Sequence, residues 1–246
     1  MRNYLAAAFA VFLGALAPWS RAQSALSTVS AGAEVSGEIH LLEGKPAKPV
    51  KDASGVAIWL VANDPGDSPA PLHTGQKTYR MVQRDKQFHP HLLVVPLGSL
   101  VVFPNFDPWF HNVFSLYRGK RFDLGLYEAG AQKAVRFNRL GPSYIFCNIH
   151  PQMMAVILTV NTDFYGISDK AGHWTISGVP PGRYQLRVFY EDASPAALHS
   201  LDRVVEVEGK GAVLAALALR VTPHNWMDHP NLYGRPYDPG SLAPVY

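Results

Sequence analysis

Turn-forming residues interrupt the apolar segments of this chain at roughly 8–12-residue intervals, a rhythm that suits short strands and leaves little room for long helices. Glycine and proline contribute 20 residues each to a total of 246. Strand character appears at 35–41 (VSGEIHL), 55–62 (GVAIWLVA), 77–83, 92–96 (LLVVP) and 99–103 (SLVVF). It continues at 133–138 (KAVRFN), 143–147 (SYIFC) and 154–160 (MAVILTV). After Asn161 a second series starts, at 164–168, 173–177, 183–190 and 202–208, with turns at Asp169-Lys-Ala-Gly172 and Pro180-Pro-Gly182. Residues 211–221 have helical propensity but sit in a strand-rich context, and are read as a last strand. The pattern predicts an all-β chain of two β-sandwiches, one over 30–161 and a smaller one over 162–222. Residues 63–74 have the composition of an exposed loop, and 223–246 that of an extended tail on the surface.

The first residues are of a different kind. Arg2 precedes an apolar run from Leu5 to Ala17, and Ser20-Arg21-Ala22 then fits a small-x-small cleavage rule. The run is too short to span a bilayer comfortably and suits the core of a signal peptide. Residues 1–22 are therefore expected to direct export, leaving a periplasmic or secreted chain that begins near Gln23.

Export gives weight to the single cysteine, Cys147. It has no partner in the chain for a disulfide, and a free thiol in an oxidising compartment is a liability. Its neighbourhood reads Cys147-Asn-Ile-His150-Pro-Gln-Met153. A thiolate, an imidazole and a thioether thus fall within seven residues, between two apolar strands. Thiolate and thioether are soft donors that select copper, and imidazole suits it too. A mononuclear site needs one more strong donor, and His111, in Trp109-Phe110-His111-Asn112-Val113, is the best candidate. Two imidazoles, a thiolate and a weak axial Met form a type 1 copper set. The axial place is open between Met153, which is favoured, and Met154. The same side chains would also hold zinc tetrahedrally. His89 and His91 form a second His pair, read as a surface feature because Pro90 interrupts their strand.

The segment from about 90 to 160 resembles the cupredoxins, most closely the amicyanin and methylamine-utilisation-like group. The residues that carry this are Val101-Val-Phe-Pro-Asn-Phe-Asp107, His111-Asn112-Val113 and Cys147-Asn-Ile-His150-Pro-Gln-Met153. The resemblance implies a Greek-key β-sandwich with copper on His111, Cys147, His150 and Met153. It also implies that the Asn112 side chain ties the two ligand loops together. The later segment resembles a carboxypeptidase regulatory-like or transthyretin-like β-sandwich, through Asp169-Lys-Ala-Gly172, Trp174-Thr-Ile-Ser-Gly-Val-Pro-Pro-Gly-Arg-Tyr184 and Leu186-Arg-Val-Phe189. Residues 35–60 resemble the opening strands of such a module, so these strands complete either sandwich.

Function follows as expectation. With 22 Lys and Arg against 19 Asp and Glu, the net charge of +3 gives no footprint for nucleic acid. A Cys147 hydrolase is disfavoured, because Cys147 and His150 on one tight loop leave no place for an orienting third group. An oxidase needs several His-x-His pairs, and only His89-Pro-His91 has that form. The expectation is a non-enzymatic one-electron carrier that meets a redox protein partner transiently. The electron leaves by the His150 ring edge, across a patch of Pro108, Trp109 and Pro151. The alternative is copper delivery or storage, with His89, His91, His224 and His229 as an exposed relay.

Overall fold

The computed structural model describes residues 32–63, 77–116, 119–224 and 229–236. The expected signal segment 1–22 and most of the expected loop 63–74 lie outside these residues. The described chain is all-β apart from one short helix, Pro195–His199, capped by the Ser194 hydroxyl. No helix among the described residues is long and apolar enough to cross a membrane.

The strands form two sandwiches that pack against each other through a shared apolar cluster. In the first, Phe122–Tyr127, His111–Ser115, Gly141–Phe146, Met154–Val160 and Leu92–Pro96 make a five-stranded sheet in that order. Its neighbours are antiparallel except the last pair. Gln132–Arg136, Leu100–Pro104 and Thr78–Arg80 make a three-stranded sheet. Between the sheets lies a core that includes Val101, Phe103, Val113, Ile145, Cys147, Met153, Ala155 and Ile157. A hairpin of Val82–Arg84 and Gln87–His89 lies beside them and adds Phe88 to this core.

The place of Met154–Val160 explains why its sequence is apolar at every position but Thr159. Alternate residues of a strand face opposite sides, and here both sides are buried. Ala155 and Ile157 face the core just described. Met154, Val156, Leu158 and Val160 face a second cluster with Ala57 and Phe189, which joins this sheet to the neighbouring sandwich.

That neighbouring sandwich takes the N-terminal strands. Ala33–Glu43 runs antiparallel to His173–Val179 and parallel to Leu217–Arg220. Tyr165–Ile167, Ala57–Ala62, Gly182–Phe189 and Arg203–Val207 form the opposing sheet. Ile39, Leu41, Ile58, Leu60, Trp174, Tyr184 and Leu186 fill the space between. The strands at 33–62 fall inside the expected segment 30–161, yet they pair with strands beyond residue 162. Local pattern marks a strand but carries little information on a partner some 140 residues away. Two glycines permit the close fit. A Cβ at Gly37 would meet Trp174 Cζ2 at 2.7 Å, and one at Gly172, whose φ is +88°, would meet the Ile39 carbonyl at 2.1 Å.

Candidate metal centre

The three strongest donors predicted from sequence converge at one end of the first sandwich. Cys147 follows Gly141–Phe146, and the next strand starts at Met154, with Phe146 opposite Met154. The intervening loop is closed by its own backbone. The Cys147 N–H donates to the Met153 carbonyl (3.2 Å), and the Met153 N–H to the His150 carbonyl (2.9 Å). His111 opens the adjacent strand, His111–Ser115, which pairs with the Cys147 strand through Phe114 and Phe146. The strand pattern of the sequence does not extend to this segment.

Cys147 Sγ lies 3.8 Å from His111 Nδ1 and 3.8 Å from His150 Nδ1. The three donor atoms lie within 4.8 Å of one another, and all three residues are buried. Bonds of about 2.3 Å to sulfur and 2.05 Å to nitrogen, at roughly 110–120°, set S and N about 3.6–3.8 Å apart. The donor set therefore fits a single ion. A thiol alone has one proton and can satisfy only one of these two nitrogens.

Protonation favours the same reading. Burial pushes the His150 imidazole down to about 4. Burial also lowers His111, although Asp107 opposes it. Both rings are thus favoured in the neutral form near pH 7, the form in which an imidazole nitrogen ligates a metal. Burial raises the Cys147 thiol, against backbone N–H groups of Asn112, Ile149 and His150 that favour its thiolate. Metal loading would displace that proton, because the thiolate is the ligand form.

Met153 is fully buried and packs in the same core as Cys147. Met154 belongs to the cluster on the other face of the sheet. Asn112 differs from its expected part: its Nδ2 donates to Asp123 Oδ1 (2.8 Å), on the neighbouring strand rather than on the 147–153 loop. In the second His pair, His91 Nε2 engages Glu191 at 2.6 Å.

Three features were missed in the sequence. Asp107 lies 2.8 Å from His111 Nε2 and is 4% exposed; a carboxylate four residues before a candidate ligand was the available signal. The tail packs on the ligand loop: the His229 ring stacks on Phe146 (centroids 3.9 Å), its Nε2 lies 3.0 Å from the Pro151 carbonyl, and the Leu232 N–H donates to Asn148 (2.9 Å). His229 is thus engaged at the loop, where the relay reading needed it exposed. Finally, His150 is only 3% exposed and Pro151 is buried. The exposed apolar surface beside His111 is instead Phe106 (50%), Pro108 and Phe110 (57%), with Trp109 half-buried. The Arg84 guanidinium lies over Phe106, and the Lys86 ammonium over Trp109.

No family model matches this chain, and no curated protein matches it. Among solved structures it is similar to a purple cupredoxin from Nitrosopumilus maritimus, at 20% identity and a TM-score of 0.31, over 33% of this chain and 99% of that one. It is similar to a copper-containing nitrite reductase from Thermus scotoductus SA-01, at 21% identity and a TM-score of 0.32, over 34% of this chain and 22% of the reductase. An amicyanin variant in its reduced Cu(I) form matches at 14% identity and a TM-score of 0.32, over 42% of this chain and 98% of that one.

Proposed function

We propose that this chain is an exported type 1 copper protein that carries one electron at a time, with His111, Cys147 and His150 as equatorial ligands and Met153 as the axial one. The observation that carries the reading is the placement of one buried sulfur 3.8 Å from each of two buried imidazole nitrogens. Bound copper would supply a one-electron Cu(II)/Cu(I) couple. The chain's own residues do the rest. Cys147 and Met153 provide the soft donors that favour copper over harder ions. The short loop, pinned by the Cys147, His150 and Met153 backbone, limits how far the donors move between oxidation states. Phe103, Val113 and Ile145 exclude water from the same core.

Burial separates the carrier from the delivery alternative. Ligands exposed by 3% or less release metal slowly, which suits a resident cofactor and hinders a donor of copper. We place the docking surface at Phe106, Pro108, Trp109 and Phe110, with Arg84 and Lys86 at its edge, and not at Pro151. A transient redox partner there would bury less than about 1,200 Å². The second sandwich, completed by Ala33–Ala62, we read as a non-catalytic module of the carboxypeptidase regulatory-like kind.

The test is paired. The copper-loaded protein is mixed with a small redox reagent and, separately, with a copper chelator. A carrier exchanges electrons within milliseconds and keeps its copper for hours. Rapid surrender of copper with sluggish electron exchange would favour delivery and overturn the carrier reading.

A further inference from the structure

Asp107 is tied on every side. Its Oδ2 accepts from His111 Nε2 (2.8 Å) and from the Lys86 N–H (3.0 Å), and its Oδ1 accepts from the Asp85 N–H (2.6 Å). Its own N–H donates to Asn105 Oδ1 (3.0 Å), and Asn105 Nδ2 donates to the Trp109 carbonyl (2.7 Å). The carboxylate thus belongs to the loop that delivers His111, and it is locked from the opposite side by a hairpin.

That hairpin has an unusual turn. Asp85 and Lys86 have φ of 56° and 55°, and they are the described non-glycine residues with positive φ. A two-residue turn with both central residues left-handed normally selects Asn or Gly. The central N–H groups of such a turn are not used by the ladder and need an acceptor when covered. Here both find Asp107. The hairpin therefore offers two backbone donors that stabilise a buried negative charge one imidazole away from the sulfur.

We propose that Asp107 is a positioning residue for the metal centre: it fixes His111 with Nδ1 turned toward Cys147, and its charge biases a bound copper toward Cu(II). This rests on the copper reading above. An anionic partner on the outer nitrogen orients a ligand imidazole and raises its donor strength. In a water-poor site it also favours the ion with the larger positive charge. The Lys86 ammonium, held over Trp109, offsets part of that charge.

Two measurements test this. The first is the ratio of Cu(II) to Cu(I) binding constants in the unmodified protein and in Asp107→Asn, which keeps the shape and one acceptor oxygen but removes the charge. The ratio should fall at least about tenfold, a rise in potential of about 59 mV for one electron. A variant that binds copper fully with a ratio within twofold of the parent overturns the charge effect. The second needs no variant and no metal: nitrogen NMR of His111 in the metal-free chain. A proton on Nε2 that exchanges slowly is expected, and a proton on Nδ1 overturns the positioning role, even if Asp107→Asn does not fold. The two failures are distinct from failure of the copper reading, in which the unmodified protein shows no thiolate-to-copper band.

Discussion

Replacing Cys147 with Ser separates the metal role of the sulfur from its packing role. The side chain is fully buried, yet the backbone N–H groups of Asn112, Ile149 and His150 point toward it. A Ser hydroxyl occupies nearly the same volume and accepts hydrogen bonds from such donors better than a thiol does. The metal-free variant should therefore lose only about 1 kcal/mol, the ordinary cost of a tolerated buried change. Metal linkage should change far more. With free Zn(II) or Cu(I) at a thousand times the dissociation constant, binding stabilises the native state by about 4 kcal/mol. For a chain of this size that is about 8–16 °C in melting temperature, at roughly 2–4 °C per kcal/mol. Without the thiolate, two imidazoles and the weak Met153 thioether remain, and the shift at the same metal concentration should fall below about a quarter of the parent value. Thermal melts of both proteins, with and without metal, give all four numbers. Equal metal-induced shifts would refute the assignment of the sulfur as a ligand. A metal-free variant that fails to fold would refute the packing argument.

Other expectations follow from the same geometry. Met153→Gln should keep copper bound and lower the reduction potential by about 59 mV or more, a tenfold change in the affinity ratio; loss of copper would remove Met153 from the axial place. Gly172→Ala should cost about 3 kcal/mol in urea unfolding, from the left-handed φ and from a Cβ driven against the Ile39 carbonyl, which pushes apart the Ile39 N–H to Gly172 carbonyl bond. An unchanged midpoint would mean that Ala33–Glu43 is not stitched to the Gly172 turn as described. His91 is raised by its hydrogen bond to Glu191, so its contribution is complete below about pH 6.5 and fades as pH rises through the raised value. Because half of the His91 side chain is exposed, His91→Gln should cost under about 1 kcal/mol at pH 5.5 and close to nothing at pH 9. A loss that grew with pH would reverse the assigned sign.

Much of this was legible in the residues, because the signals were local. The run MAVILTV is apolar at every position but Thr159, since both of its faces are buried. Cys147 and His150 lie in one loop, so their convergence needs only a tight turn between paired strands. Bringing His111 to them required a further strong donor from 36 residues upstream, which the soft-donor chemistry called for. What was not legible depends on distant partners. The likeness of residues 35–60 to the opening strands of the second module left Ala33–Glu43 open to either sandwich, and only its pairing with His173–Val179 decides between them. Asp107 looks like an ordinary loop acid until the Asp85-Lys86 turn folds over it, and that turn lacks the glycine that usually announces it. The tail that packs on Phe146, Asn148 and Pro151 likewise comes more than seventy residues later.

The central claim is that one sulfur and two imidazole nitrogens hold a single copper ion. An optical titration of the purified chain with Cu(II) tests it most directly. The account predicts an intense thiolate-to-copper band near 600 nm that saturates at one equivalent and disappears in Cys147→Ser. Copper bound at one equivalent with only weak absorption, or an intense band that survives loss of the sulfur, would contradict it.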